Sequence, residues 1–254
     1  MLYLRSLLFH VGLISSSLIY GLIVPLLIWP LSHERRYRIL IEWGRFNIWW
    51  LRVTCGVRYR VRGLEHVDTS RPHVVMSKHQ SAWETLAFVS IFPRQTWVLK
   101  RELMRIPLFG WTLAMLNPVP IDRGAGRQAL EGLLREGKKR LDQGLWVIVF
   151  PEGTRVNPGE KGRYRQGGAQ LAARGGYPVL PVALNSGTYW PRRGILRHPG
   201  TIVVSVGPPI ETQGRDVREV NAQVQDWIEA RVAELTGLPQ AVPPAPRRGQ
   251  LRQA

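Results

Sequence analysis

Residues 7–31 form an apolar run with no formal charge, diluted only by His10, three serines at 15–17 and Pro25, and followed by His33, Arg35, Arg36 and Arg38. A stretch of that length can span a bilayer, which takes about 20 apolar residues. The dilution leaves a helix that dips into one leaflet as the alternative. A cleaved signal peptide does not fit, because the run is too long and no small-x-small site precedes the arginines. Beyond it, Ile39, Trp43, Phe46, Trp50 and Val53 repeat with a 4-3-4-3 spacing, which predicts one helical stripe, and Arg38, Arg45 and Arg52 repeat beside it. A tryptophan-rich stripe flanked by arginines suits a helix at the headgroup level. The same spacing also suits an amphipathic helix packed on a domain. Together the two segments predict a helical hairpin holding the protein on one leaflet.

Further along, the pattern changes to alternating strand and helix signals. Strands are predicted at 57–61, 73–76, 145–150, 179–184 and 201–206. Helices are predicted at 81–92, at 128–142 with Leu130, Leu133, Leu134 and Leu141 on one side, and along Val217, Val220, Val224, Trp227 and Leu235. Such alternation predicts an α/β fold: a single catalytic domain whose mixed sheet is covered by helices. The expected organisation is a membrane-associated helical segment at 1–56, the catalytic domain at 57–237 and a disordered Pro- and Arg-bearing tail at 238–254. There is no internal repeat, Walker loop, dinucleotide-binding glycine fingerprint or zinc-ligand spacing.

Charge and cysteine usage narrow the partners. A net charge of +17 on 254 residues calls for a polyanion: nucleic acid, an anionic membrane surface or a phosphate-bearing substrate. No nucleic-acid motif accompanies the charge, so nucleic acid is not the expected partner. Cys55 is the single cysteine, which excludes an intramolecular disulfide and fits a reducing compartment. With no acid or base pattern near it, Cys55 reads as a packing residue.

Two short stretches carry the candidate chemistry. In the first, Lys78-His79-Gln80-Ser81-Ala82-Trp83-Glu84 follows the apolar run Val74-Val75-Met76. Five residues on a regular helix turn through about 140°, so His79 and Glu84 meet only if His79 sits on the turn after the strand. There Glu84 can hold one imidazole nitrogen while the other serves as a general base. The competing reading is a capping box, with Ser81 as N-cap and Glu84 reaching back to its amide. The second stretch, Phe150-Pro151-Glu152-Gly153-Thr154-Arg155, ends the apolar run 145–150. Alone it reads as a surface turn. A serine hydrolase using Ser77 or Ser81 with His79 would need a Gly-x-Ser-x-Gly elbow, which the chain lacks.

In this order the two stretches resemble the signatures of the family that includes 1-acyl-glycerol-3-phosphate acyltransferases. Val119-Pro120-Ile121-Asp122-Arg123 and Val179-Leu180-Pro181-Val182 resemble two weaker family blocks, and Lys100-Arg101-Glu102-Leu103 with Pro107 and Gly110 resembles the lead-in to the first of them. The resemblance implies catalytic roles for His79 and Glu84. It implies binding of the substrate phosphate by Arg155, Arg123 and Lys100, for which an arginine's planar fork is suited, and a site-shaping role for Glu152, Gly153 and Thr154. Backbone amides near Gly153 are expected to stabilise the oxyanion. Two departures stand out: most members carry Asp where this chain has Glu84, and Asn117 stands where a small residue, usually Gly, often opens the second block.

The function implied is transfer of a fatty acyl group from a thioester donor to the sn-2 hydroxyl of lysophosphatidic acid, giving phosphatidic acid. Another lyso-lipid acceptor, such as lyso-ornithine lipid, is the alternative. A membrane-tethered basic nucleic-acid-binding protein is a distant one. No metal or bound cofactor is implied, since acyl-CoA or acyl-acyl-carrier-protein is a substrate. An acidic carrier protein would suit the positive surface. The implied location is the bacterial inner membrane, with the site on the cytoplasmic side.

Overall fold

The computed structural model describes residues 1–122 and 124–238. Arg123 and the expected tail from 239 onward lie outside the described residues. Three N-terminal helices, α1 (Leu2–Leu22), α2 (Val24–Ile28) and α3 (His33–Cys55), lead into strand β1 (Val57–Arg62) and a 3-10 turn at Leu64–His66. Then come β2 (Val74–Ser77), α4 (Trp83–Ile91), β3 (Gln95–Lys100), a 3-10 turn at Arg101–Arg105, α5 (Phe109–Ala114), β4 (Val119–Ile121), α6 (Gly126–Asp142) and β5 (Trp146–Val149). The chain continues through α7 (Gly167–Gly175), β6 (Val179–Leu184), α8 (Ser186–Tyr189), β7 (Gly200–Val206) and α9 (Val217–Thr236).

The strands form one seven-stranded sheet in the order β1-β7-β6-β2-β5-β3-β4. All neighbours run parallel except β6 and β7, so the sheet is mixed, as expected. The five predicted strands are present. The short strands β3 and β4 were not legible: β3 opens on the polar pair Gln95-Thr96, both fully buried, and β4 has only three residues, with Pro120 tolerated on the sheet edge where it forfeits no needed ladder bond. The packed strands β2, β5 and β6 are buried along their whole lengths, as parallel strands covered on both faces should be. On one face α3 and α4 pack Leu51, Cys55, Trp83, Leu86 and Phe88 against the sheet. On the other, α6, α7 and α9 contribute Leu133, Leu171, Val224 and Ile228. Cys55 is buried, in keeping with its packing role.

Helices α1 and α3 form the expected hairpin. They run antiparallel: Arg5 Nε donates to Thr54 O at 2.7 Å, Trp50 Nε1 to Leu8 O at 3.3 Å and Trp43 Nε1 to Ser16 Oγ at 3.2 Å. Thus Ser16, one of the residues that dilutes the apolar run, bonds across the helix pair. The first helix breaks at Ile23, four residues after Ile19 and two before Pro25, whose ring cannot sit over the carbonyl of Gly21 in a continuous helix. The aromatic stripe lies beside the buried face rather than on it. The buried line is Tyr37, Leu40, Ile41, Gly44, Asn47, Leu51 and Cys55. Trp43 and Trp50 are half-buried under α1, while Phe46 and Val53 are 40% and 54% exposed. The stripe is therefore split between a core edge and an open surface. Outside, Leu4, Leu7, Val11, Leu18, Leu22 and Leu26 are all exposed. An apolar face this continuous is uncommon on a protein surrounded by water.

Candidate active site

Strands β2 and β5 are hydrogen-bonded neighbours with Val74 opposite Val147, Val75 opposite Ile148 and Met76 opposite Val149. Their C-terminal ends are level, so the two motifs, distant in sequence, leave the sheet side by side. This is the edge of an α/β sheet where ligands are generally bound. The loops then grip each other. The N–H of Val156 donates to His79 O at 2.8 Å, and the N–H of His79 donates to Glu152 Oε2 at 3.3 Å. The Phe150 ring stacks on the His79 ring, with centroids 3.9 Å apart and planes 15° from parallel.

Glu84 meets both readings of its position. It lies in the first turn of α4, fully buried, and accepts from the N–H groups of Gln80 at 3.2 Å and Ser81 at 3.1 Å. Ser81 Oγ in turn accepts from Trp83 N at 2.9 Å, as a capping residue does. The same carboxylate lies 3.3 Å from His79 Nδ1 and receives the hydroxyl of Ser186. Capping and orientation are not alternatives here. One oxygen, Oε1, takes the Ser186 hydroxyl and the amides of Gln80 and Ser81; the other, Oε2, shares the Ser81 amide and reaches the histidine. With Nδ1–H donating to Glu84, the proton is fixed on that nitrogen and Nε2 keeps its lone pair.

His79 lines a cavity of about 770 Å³. Its walls are apolar and come from every layer: Leu13 from α1, Leu40 and Trp43 from α3, Leu86 and Val89 from α4, Leu130 and Leu133 from α6. Lys100, Thr154, Arg155 and Arg165 line the same cavity as His79. An apolar pocket of several hundred Å³ with a few converging polar groups is the usual form of a ligand site. Arg155 makes no ion pair among the described residues, whereas the exposed Lys100 pairs with Glu102 at 3.2 Å. Thr154 accepts from the Arg192 guanidinium at 3.3 Å. Arg123 falls outside the described residues, so its expected place beside Arg155 is not described.

Gly153 stands at φ 68, the left-handed region that glycine enters without strain, and its N–H closes a tight turn on Phe150 O at 2.9 Å. That amide is engaged within the loop. Glu152 faces away from the cavity: it is buried and contacts Lys78 at 2.7 Å, the N–H of Gly162 at 3.1 Å and the N–H of His79. Burial pushes its carboxyl above the usual range, with the Lys78 ammonium opposing the shift. Asn117, a departure at the sequence level, has φ 51. Among residues with a Cβ, Asn tolerates that conformation best, so it reproduces the backbone that glycine would allow.

Several participants were missed by sequence reasoning. Lys78, Glu229 and Tyr164 form a buried polar cluster behind His79, Ser186 bonds Glu84, and Arg165 lines the cavity. Only Lys78 carried a signal: a lysine continuing a buried strand must find acidic partners. Neither serine suits a hydrolase. Ser77 Oγ donates to Lys78 O at 2.9 Å, Ser81 Oγ accepts from the N–H of Trp83 at the start of α4, and neither lines the cavity.

The acyltransferase family model matches residues 58–185, about half of the chain and the segment that holds both motifs. A 1-acyl-sn-glycerol-3-phosphate acyltransferase from Pseudomonas aeruginosa is 42% identical over 243 residues, 94% of each chain. This chain belongs to the acyltransferase family. The mouse 1-acyl-sn-glycerol-3-phosphate acyltransferase alpha is 31% identical over 170 residues, and the matched part spans 60% of that relative's length. The fold is that of the crystal structure of the 1-acyl-sn-glycerophosphate (LPA) acyltransferase PlsC from Thermotoga maritima, with a TM-score of 0.77 at 24% identity, covering 92% of this chain and 98% of that one. The mixed α/β architecture expected from the sequence is therefore the family's architecture.

Proposed function

We propose that this acyltransferase moves a fatty acyl group from a thioester donor to the sn-2 hydroxyl of lysophosphatidic acid, giving phosphatidic acid. The observation that carries the reading is the His79–Glu84 pair at an apolar cavity that is also lined by Arg155, whose guanidinium has no ion pair among the described residues. The names of the relatives from Pseudomonas aeruginosa and mouse support the same acceptor. Nε2 of His79 takes the proton of the acceptor hydroxyl as its oxygen bonds to the thioester carbonyl carbon. Glu84 holds the imidazole and balances the imidazolium that results. When the tetrahedral intermediate collapses, the carbon–sulfur bond breaks and the thiolate recovers the proton from Nε2. Arg155, with Arg123 and Lys100, binds the acceptor's phosphate. Lyso-ornithine lipid, whose headgroup pairs a carboxylate with an amine and has no phosphate, is the acceptor this reading ranks second.

The donor reading is acyl-acyl-carrier-protein or acyl-CoA, both soluble cytoplasmic thioesters, which puts the site on the cytoplasmic side of a bacterial inner membrane. The exposed apolar face of α1 and α2, with Phe46 and Trp49 of α3, supports seating on an anionic membrane surface. The functional test is a panel of lyso acceptors with one donor, alongside complementation of a strain conditionally defective in sn-2 acylation. Phosphatidic acid formation and rescue by wild type but not by His79→Ala are expected. Faster acylation of a phosphate-free acceptor sinks the reading.

A further inference from the structure

Behind His79 lies a sealed ionic cluster that the proposed chemistry does not use. Lys78 is fully buried, and its ammonium donates to Glu152 Oε1 at 2.7 Å, Glu229 Oε1 at 2.8 Å and Glu160 O at 3.0 Å. All three of its donors are thereby used. Tyr164 adds a hydroxyl donated to Glu229 Oε1 at 2.8 Å. Glu152 acts as a fork. Its Oε1 takes Lys78 and the N–H of Gly162, and its Oε2 takes the N–H of His79 at 3.3 Å. A buried ionic cluster seldom stabilises a protein more than apolar side chains of the same volume would. What it supplies is direction, because each bond fixes an atom in space.

We propose that Lys78 and Glu229 are positioning residues for acyl transfer: through Glu152 they hold the backbone of His79 where its ring meets Glu84 and the substrate. The proposal rests on His79 being the general base. Lys78 and His79 are consecutive, yet their side chains go opposite ways, one to the sealed cluster and one to the cavity. Any shift of Lys78 is therefore passed to His79 twice, through the chain and through Glu152. Glu229 belongs to α9, outside the segment 58–185 that the family model matches. Turnover thus depends on a carboxylate supplied by a helix outside the matched segment. The cluster counts one positive and two negative groups, so removing Glu229 leaves a matched Lys78–Glu152 pair, whereas removing Lys78 strands two carboxylates. Glu229 is accordingly the residue to change.

The experiment compares full-length Glu229→Met, Glu229→Gln and Ile228→Ala, purified in detergent, with turnover divided by the folded fraction from thermal melting. Glu229→Met takes away an acceptor from both Lys78 and Tyr164, so kcat is expected to fall by about tenfold or more, since small misplacements of a catalytic group are costly. KM for both substrates should stay near wild type. Glu229→Gln keeps an accepting oxygen and should retain most of the rate. Ile228→Ala loosens α9 by removing a fully buried side chain and should leave kcat per folded enzyme unchanged. The proposal is overturned if Glu229→Met turns over like wild type, or if it loses no more kcat than Ile228→Ala. His79→Ala in the same assay separates the levels. Loss in His79→Ala with full activity in Glu229→Met sinks the positioning role alone, while activity retained in His79→Ala sinks the general-base reading and this one with it.

Discussion

Strand β2 is flanked by two histidines, His73 just before it and His79 two residues after it, and each lies against an aromatic ring near the matching end of β5. At the N-terminal end His73 lies on Trp146, with ring centroids 4.4 Å apart; at the C-terminal end His79 lies on Phe150, 3.9 Å apart. Their surroundings differ in three ways. His73 Nδ1 meets only the backbone carbonyl of Arg71, at 3.0 Å, whereas His79 Nδ1 meets the Glu84 carboxylate. His73 is fully buried, while His79 opens on the large cavity. Arg71, near His73, is paired with Glu211 and lies 3.9 Å from Asp68, whereas Arg155, near His79, has no ion pair among the described residues. Sheet geometry alone thus does not make a base. In the proposed reading, a carboxylate on Nδ1, a cavity beside the ring and a cation with no ion pair among the described residues distinguish His79 as the base.

The largest expected effect comes from removing the ring. His79→Ala should lower kcat by about 10²–10⁴-fold with the fold intact, the usual contribution of a general base. Rates within a factor of ten of wild type in a thioester-release assay would erase the distinction between the two histidines. Next comes the carboxylate. Glu84→Gln should lose most activity, since the amide cannot balance the imidazolium, and Glu84→Asp should keep a substantial part. Because Glu84 also caps α4, melting of each variant is needed to separate the roles. A cap tolerates Gln with little loss, so a fully active Glu84→Gln would leave capping as the only role.

The cation ranks third. Arg155→Ala should raise KM for the phosphate-bearing acceptor well above its effect on the donor, and Arg155→Lys should recover it only in part, because the bidentate fork is lost. Equal changes in both KM values would move Arg155 to the donor side or to the scaffold, and the contrast with Arg71 would lose its meaning.

Much of this contrast was legible along the chain, for a physical reason. The spacing allowed His79 and Glu84 to meet on a strand-to-helix turn but left a capping box as the competing reading, and it was the resemblance to the acyltransferase signatures that implied the pair. The loop Phe150–Arg155 was likewise readable, because its glycine and proline fix a turn at a strand end. What was not legible depends on register and long-range packing. Pairing Met76 with Val149 brings Glu152 to the amide of His79, and nothing local announces that pairing. Glu229 joins the site from 151 positions beyond Lys78, and Ser186, at the start of α8, reaches Glu84 across 102 positions. The aromatic stripe of α3 misled by one position: periodicity finds a helix face but not its partner, and here α1 covers the edge of the face while α4 and the sheet take its centre.

The smallest effect should come from His73, where activity and stability ought to separate. Burial lowers its pKa from the ordinary 6.5, with the hydrogen bond to Arg71 O opposing the shift. A histidine kept neutral in the folded state binds fewer protons there than in the unfolded chain. Its neutral form therefore costs nothing above pH 6.5, and stability is lost as pH falls below that value toward the lowered folded pKa. His33, also lowered chiefly by burial, acts in the same window, so the useful quantity is a difference between proteins. His73→Phe keeps a ring against Trp146 and removes the titration. Its melting temperature should fall less than that of wild type between pH 7 and pH 5.5, while kcat at pH 7 stays unchanged. A parallel fall in both proteins would show that His73 carries no such penalty, and a loss of kcat would show that the far end of β2 is not the inert end.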